Sequence, residues 1–117
     1  MRLVTFELST PLGKIRRLGL WRSPEILDLN LAYQGLLCRT EEREFALHLA
    51  QVLVPPDLLA WMKTGERGKQ AVSDVEQCWN AGETLAGADG QNAIFQETEV
   101  KLLAPLPQPT SIRDFST

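Results

Sequence analysis

The chain has 117 residues, of which 44% are apolar, and a formal net charge of −3. This length suits one small domain with a single core, and the negative charge excludes a global basic field that attracts nucleic acid. The apolar runs are shorter than the roughly 18–20 residues of a membrane span, and the first residues lack the apolar segment of a signal peptide. We therefore expect a cytoplasmic protein with no membrane and no nucleic-acid partner.

The first thirty residues predict an antiparallel β-meander. Val4, Phe6 and Leu8 alternate with polar residues, which is typical of a half-buried strand. Gly19 interrupts the second apolar run and indicates a bulge or a close backbone approach. The predicted strands cover residues 4–8, 15–21 and 26–30. Short turns between them favour pairing of neighbours.

The middle of the chain predicts three helices. Thr40 is expected to cap the first, whose core face is predicted to consist of Phe45, Leu49, Val52 and Leu53. Pro56 suits the first position of the second helix, with Asp57 in its first turn and Gly65 as its C-cap.

The third predicted helix spans residues 69–81 and closes at Gly82. Residues 84–92 are expected to form a loop, followed by short strands at 93–95 and 100–104. Together these elements predict an α+β fold, with a small, mostly antiparallel β-sheet, three packed helices and an extended proline-rich C-terminal arm.

No complete catalytic constellation is present, so no catalytic and no cofactor-binding residue is assigned. His48 is the single histidine and lies at the edge of the first helix's apolar stripe, where a structural role is expected. Cys38 and Cys78 lack metal-like spacing and are expected to be free, partly buried thiols. The sequence contains neither a nucleophile elbow nor a phosphate loop.

Two charged clusters have functional as well as structural interpretations. If residues 97–99 are extended, Glu97 and Glu99 project from one face and form part of a cation site, although a solvated strand face is the preferred interpretation. A basic cluster around the first hairpin is interpreted as a solvated surface in preference to a nucleic-acid site. Its members are Lys14, Arg16, Arg17 and Arg22.

The C-terminal stretch divides the chain into an N-terminal α+β domain, residues 1–99, and a junction, residues 100–117. Prolines at 105, 107 and 109 indicate a stiff interdomain spacer, because proline fixes φ and removes amide donors. A polyproline ligand is the alternative, but the spacing lacks the Pro-Xaa-Xaa-Pro register. We therefore expect a second domain to begin at the end of this segment.

Three groups of residues resemble the N-terminal domain of the fumarylacetoacetate hydrolase family. The first comprises residues 1–7 and 26–30, which are similar to the family's first strands. Residues 55–61 with Gly65 and Glu66 resemble its helical insert. Residues 102–107 and 111–115 resemble the junction into the catalytic domain and are the most specific match.

The resemblance implies a divalent metal, magnesium, calcium or manganese, in the intact parent and none in this chain alone. It implies hydrolysis, decarboxylation or isomerisation of oxo-acid or diketo-acid substrates, with a histidine base and a Glu-Xaa-Glu metal motif encoded after Thr117. Asp114 matches a metal-ligating aspartate, although a helix cap or a pair with Arg113 is the structural alternative. Ser116 replaces a substrate-contacting tyrosine, which points away from fumarylacetoacetate itself.

The partners that the resemblance implies are the missing C-terminal catalytic domain and a second subunit in a homodimer of the parent. The 117 residues alone are then expected to be inactive. The alternative is a free-standing protein-interaction module derived from the same domain, which would bind a partner through the surface that the catalytic domain otherwise covers.

Overall fold

The structure is a computed structural model that describes residues 2–103. Within this range the chain forms five β-strands, four α-helices and one 3-10 helix. The strands are β1 (Arg2–Thr10), β2 (Gly13–Arg22), β3 (Glu25–Asp28), β4 (Ile94–Gln96) and β5 (Lys101–Leu102). The helices are α1 (Leu29–Leu37), α2 (Arg43–Leu53), α3 (Leu58–Met62) and α4 (Glu66–Asn80), and the 3-10 helix is Glu97–Glu99. The predicted α+β class is confirmed, with one helix more than the sequence indicates; the proline-rich arm lies outside the described residues.

All five strands join one antiparallel sheet in the order β4-β3-β2-β1-β5. The predicted meander of the first three strands is confirmed. The ladder runs through Gly19 without a bulge, since Gly19 lies opposite both Val4 and Asp28. A Cβ atom at Gly19 would lie 2.7 Å from Phe6 Cε1 and 2.8 Å from the Leu27 carbonyl oxygen. Gly19 therefore marks a close approach.

The sheet is strongly curled. The rings of Phe6 on β1 and Phe95 on β4 have centroids 6.0 Å apart, although two strands lie between them in the sheet. Adjacent strands are about 4.8 Å apart, so a flat sheet would separate β1 from β4 by about 14 Å. The curl also explains how only residues 97–100 connect β4 and β5, the two opposite edges.

The two faces of the curled sheet bury different cores. Paired strand residues share a face, so the register places Phe6, Ile26 and Phe95 on the inner face of the curl. Phe6 and Ile26 are completely buried there. Leu18 and Leu27 are on the opposite face, within the larger core formed with the helices.

A helix that the sequence patterns do not indicate, α1, packs between the sheet and the other helices. The predicted third strand extends to residue 30, but β3 ends at Asp28, whose carboxylate caps α1 by accepting a hydrogen bond from the Leu31 amide at 3.1 Å. Leu29, Ala32 and Tyr33 are all buried. Because apolar residues occur on nearly every face of α1, it lacks the amphipathic contrast by which a surface helix is recognised.

Helix α2 presents a different face to the core from the one predicted. Ala46 and Ala50 are completely buried, whereas Phe45 is 48% and Val52 50% exposed. Small side chains let two helices approach closely, so the alanine face packs on α1. The predicted core face is therefore wrong for Phe45 and Val52, whereas Leu53 is partly buried against the core as predicted.

The N-cap residue of α2 also differs from the predicted one. Thr40 is not the N-cap of α2, because its amide donates to the Leu37 carbonyl in the turn that follows α1. Glu42 occupies the N-cap position.

The observed boundaries of α3 and α4 also differ from the predicted ones. Asp57 caps α3, so Pro56 precedes the helix instead of occupying its first position. Gly65, with φ of +68°, is the N-cap of α4 and not the C-cap of α3, and α4 begins three residues earlier than predicted, at Glu66. Gly82, with φ of +79°, follows α4 as predicted.

A buried chain of amide groups joins α1 to its neighbours. Asn30 Nδ2 donates to the Val54 carbonyl at 2.9 Å, and Gln34 Nε2 donates to Asn30 Oδ1 at 2.9 Å. Gln34 Oε1 then accepts from the Ala88 amide at 3.1 Å. Each amide nitrogen and oxygen of the Asn30 and Gln34 side chains has a hydrogen-bond partner, so the cost of removing these two side chains from water is compensated.

A surface ion pair fixes the predicted loop of residues 84–92 to the start of α2. Arg43 Nη2 and Asp89 Oδ2 are 2.7 Å apart within a bidentate contact. The hydrogen bonds from Arg43 lower the pKa of the Asp89 carboxyl from its ordinary value of 3.8. The folded pKa lies below the unfolded one, so the pair stabilises the fold above about pH 4 and the contribution is lost as the pH falls through the lowered value.

Replacing Arg43 with glutamine is expected to return the pKa of Asp89 toward 3.8, because the two charge-assisted hydrogen bonds are lost. The measurement is an NMR titration of the Asp89 carboxyl carbon. Arg39→Gln is the matched control, since Arg39 pairs with Glu83 instead. An Asp89 pKa that is identical in the wild type and in Arg43→Gln would contradict this contact.

Candidate functional site

A groove of about 420 Å³ follows the N-terminal half of β1, beyond the point where β5 stops pairing with that strand. Residues 2–5 of β1 form one side, β2 supplies Leu18 and Trp21, α3 supplies Leu58, and Leu102 and Leu103 form the other side. The lining is therefore largely apolar, with Arg2 and Thr5 as its polar members.

Trp21 is held in place at this groove by a hydrogen bond and a cation–π contact. Its Nε1 donates to Glu97 Oε1 at 2.7 Å, and the same carboxylate oxygen accepts from Ser23 Oγ at 3.1 Å. The guanidinium of Arg2 lies 5.8 Å from the centroid of the Trp21 ring, within the range of a cation–π contact. An aromatic wall oriented in this way suits an apolar or extended ligand with an acceptor group near Arg2.

The backbone of β1 contributes hydrogen-bonding groups to the groove. The Leu103 amide donates to the Thr5 carbonyl at 3.0 Å, one step beyond the last strand pair, Phe6 with Leu102. Since successive residues of a strand direct their polar groups to opposite sides, Leu3 directs its amide and carbonyl toward the groove. This edge therefore provides polar groups as well as apolar surface.

The opposite edge of the sheet is closed by its own side chains. Asn92 Nδ2 donates to the Ile94 carbonyl at 2.6 Å, and Asn92 Oδ1 accepts from the Ile94 amide at 3.2 Å. The next outward-facing amide, that of Gln96, donates to Glu99 Oε1 at 2.8 Å. Side chains that satisfy edge groups block pairing with another chain, so strand addition is favoured at β1 and not at β4.

The described lining of the groove offers groups that suit binding. Among the residues described as lining it there is no carboxylate, imidazole or thiol, and general acid–base or nucleophilic catalysis needs such groups at the substrate. Arg2 and the backbone of Leu3 are the groups that can contact a polar atom. The arrangement fits recognition of a chain segment.

A second exposed apolar surface is the outer face of α2. Phe45, Leu49 and Val52 follow one another at helical spacing, and Phe45 and Val52 are about half exposed. His48 is also exposed and lies beside this stripe. Apolar side chains grouped in this way are typical of a surface that contacts another protein.

The paired glutamates do not form the predicted strand face. Residues 97–99 form a 3-10 helix, so the two carboxylates do not share the face of an extended strand. Glu97 accepts hydrogen bonds from Trp21 and Ser23, and Glu99 accepts from the Gln96 amide in a capping box. Both carboxylates therefore stabilise the segment that connects β4 and β5.

The basic cluster of the first hairpin is divided between different surroundings. Arg17 forms a bidentate ion pair with Asp28, with distances of 2.8 and 3.0 Å. The guanidinium of Arg22 lies 3.9 Å from the centre of the Trp79 ring. Lys14, Arg16 and Arg22 are exposed, whereas Arg17 is half-buried. Alternation along β2 places Arg16 and Arg17 on opposite faces, so the four cations do not form one patch.

The remaining candidates stay apart from the groove. Cys38 and Cys78 are free and half-buried. Within residues 2–103, no group of three or more histidine, cysteine, aspartate or glutamate side chains converges as a metal site. Asp114, the predicted metal ligand, lies outside the described residues, as do the three prolines of the arm.

Sequence reasoning did not identify Trp21, Leu58 and Leu103 as members of one groove. They are brought together by the pairing of β1 with β5, which joins the two ends of the described chain. Local periodicity carries no information about contacts at such a separation. The alternation of Val4 and Phe6 predicts a strand, but it does not predict that β5 pairs with the second edge of this strand.

No helix among the described residues combines the length and apolar character needed to cross a membrane. A scan against protein-family models, a search of curated proteins and a search of solved structures each found no significant match to this chain.

Proposed function

We propose that this chain is the non-catalytic N-terminal domain of a metal-dependent enzyme of the fumarylacetoacetate hydrolase family. The observation that supports this proposal most is the continuity between strand β5 and the family-like junction. Leu102 pairs with Phe6 in the sheet, and the same residue begins the segment that resembles the family through Phe115. The domain then acts as a scaffold that gives the arm a rigid origin and packs on the catalytic domain.

Metal binding is assigned to the intact enzyme and not to this domain alone. A hard divalent cation takes about six or more oxygen ligands, and Asp114 offers one carboxylate. The other ligands and a histidine base are proposed to follow Thr117 in the sequence. When bound, such a metal polarises the oxygens of an oxo-acid or diketo-acid substrate. The proposed contribution of this chain is to supply Asp114 as one ligand of that metal.

The proposal is tested in the protein encoded by the reading frame that continues past Thr117. That frame is expected to contain a histidine within about ten codons and a Glu-Xaa-Glu motif further on. Asp114→Asn is expected to weaken magnesium or manganese binding at least about tenfold, as measured by calorimetry. Asp57→Asn is the matched control, because Asp57 caps a surface helix and accepts from the Ala60 amide.

The 117-residue chain alone is expected to show no micromolar site for magnesium or manganese by calorimetry and no turnover of an oxo-acid. A stoichiometric metal site in this chain would overturn the scaffold assignment. A continuing frame that lacks both the histidine and the Glu-Xaa-Glu motif would also overturn it.

A second candidate function, a protein-interaction module, is favoured by the exposed outer face of α2. Phe45 and Val52 are half exposed on one helical stripe, and a partner helix or groove would cover them. A stop codon directly after Thr117 in the natural gene would favour this function. Phe45→Ser is then expected to abolish partner binding, whereas Leu12→Ser, at a residue that is 98% exposed in the first turn, is the matched control.

A further inference from the structure

We propose that the outer face of α2 binds a basic amphipathic helix of a partner protein. The inference rests on the second candidate function, the interaction module, and names the chemistry of the partner that this face accepts. The face consists of Phe45, Leu49 and Val52, three apolar residues at positions i, i+4 and i+7 of one helix. Helices that bind along an apolar surface use this spacing for their contact residues.

The helix that carries this face is firmly anchored on its other side. Ala46 and Ala50 are completely buried there. The side-chain amide of Asn30 donates to the Ala50 carbonyl at 3.3 Å and to the Val54 carbonyl at 2.9 Å. The apolar face is therefore presented by a helix that is already fixed in the domain, which lowers the entropic cost of binding a partner.

The N-terminal end of this face is negatively charged. Glu41 and Glu42 directly precede α2 and Glu44 is in its first turn, and all three are exposed. Arg43 is the only lysine or arginine of α2, and it already donates to Asp89 and Glu44. The helix dipole contributes only about half a positive charge at this end, so a net negative charge remains.

A partner that covers this face must therefore combine apolar side chains with cations. The seven residues from Phe45 to Val52 extend about 10 Å along the helix axis, so two or three apolar residues of a partner helix are enough to cover them. A lysine or arginine one turn beyond those residues would lie beside the acidic end. Opposite charges at the rim of an apolar contact speed association and fix the orientation of the partner.

A second copy of this chain would not bring such cations through its own α2. In an antiparallel pair of α2 helices, the last turn of one lies beside the first turn of the other, and that last turn contains no basic residue. In a parallel pair the two acidic ends face each other, which is unfavourable. Each copy also has a formal net charge of −3. Charge complementarity therefore favours a different, basic partner.

The probe is a fluorescent peptide of leucine and lysine, about 18 residues long, with its leucines at helical spacing. The control peptide has glutamate in place of every lysine. In anisotropy titrations of the full chain at about 50 mM salt, the lysine peptide is expected to bind at least about tenfold tighter than the glutamate peptide. Adding the lysine peptide should shift the NMR amide resonances of Phe45, Leu49 and Val52 and leave those of the first hairpin unchanged.

Matched variants test the apolar and the acidic part of the face separately. Val52→Ser is expected to weaken binding of the lysine peptide at least about tenfold, whereas Ile15→Ser, at a residue of β2 with similar exposure, should not. Glu41→Lys is expected to weaken binding about threefold at low salt and less at about 0.5 M salt. Glu66→Lys makes the same charge change at the exposed start of α4 and should have little effect.

Equal affinity for the two peptides, or no binding of the lysine peptide, would overturn the basic partner. If both peptides bind equally and Phe45→Ser abolishes both, the interaction module remains, so the two proposals are distinguished. Equal weakening by Glu41→Lys and Glu66→Lys would also contradict the inference, because binding would then follow net charge alone. A wild-type dimer in sedimentation that Phe45→Ser abolishes would assign the face to a second copy instead.

Discussion

Replacing Asp28 with alanine is expected to lower the free energy of unfolding by about 3–5 kcal/mol. Asp28 is completely buried and Arg17 largely so, with 18% of its side chain exposed, and the two form a bidentate ion pair. Removal of the carboxylate leaves the Arg17 charge in a poorly solvated position without a partner. It also removes the cap of α1, because Asp28 accepts from the Leu31 amide.

Two variants separate these effects, each measured by chemical denaturation. Asp57→Ala removes only a cap, that of α3, at an exposed position, and is expected to cost about 1 kcal/mol. Asp28→Asn retains a capping oxygen but loses the charge, so its cost should fall between the two. A loss at Asp28→Ala no larger than at Asp57→Ala would contradict the buried ion pair.

The second large effect is expected at Gly19, where valine should lower the free energy of unfolding by about 2–3 kcal/mol. The new Cβ would lie 2.7 Å from Phe6 Cε1 and 2.8 Å from the Leu27 carbonyl oxygen. A carbonyl in a paired strand cannot withdraw without disrupting the ladder. Strand propensity alone predicts the opposite sign, since valine is favoured over glycine in strands.

A double-mutant cycle tests whether Phe6 is responsible. Phe6→Leu removes the ring atom nearest to Gly19, so Gly19→Ala should cost less in the Phe6→Leu background than in the wild type. Chemical denaturation of the four proteins measures this coupling. Independent, additive costs would show that the ring of Phe6 does not lie over Gly19, and a more stable Gly19→Val would contradict the close approach.

The two edges of the sheet differ in how far side chains satisfy their outward backbone groups. The side chains of Asn92 and Glu99 satisfy three outward backbone groups of β4, namely the Ile94 amide, the Ile94 carbonyl and the Gln96 amide. Among residues 2–103, no side chain satisfies the Leu3 backbone in this way, and an apolar groove borders the N-terminal half of β1. We expect a segment of another chain that adds to this sheet to pair with β1.

The sequence alone was sufficient for elements whose signal is local. Alternation of apolar residues predicts β1, and the turn residues after it predict the hairpin with β2. Gly82 ends α4 because glycine adopts a positive φ without strain. Capping and glycine signals failed where neighbouring helices were too close to separate, as at Gly65, which begins α4 instead of ending α3.

The tertiary structure decided the features that depend on distant partners. α1 lacks an amphipathic pattern because the sheet and other helices surround it, and the core face of α2 is marked by Ala46 and Ala50, whose small side chains give a weak sequence signal. The roles of Glu97 and of the groove depend on contacts between the two ends of the described chain. Local periodicity reports which face of an element is apolar, whereas only packing determines which element covers it.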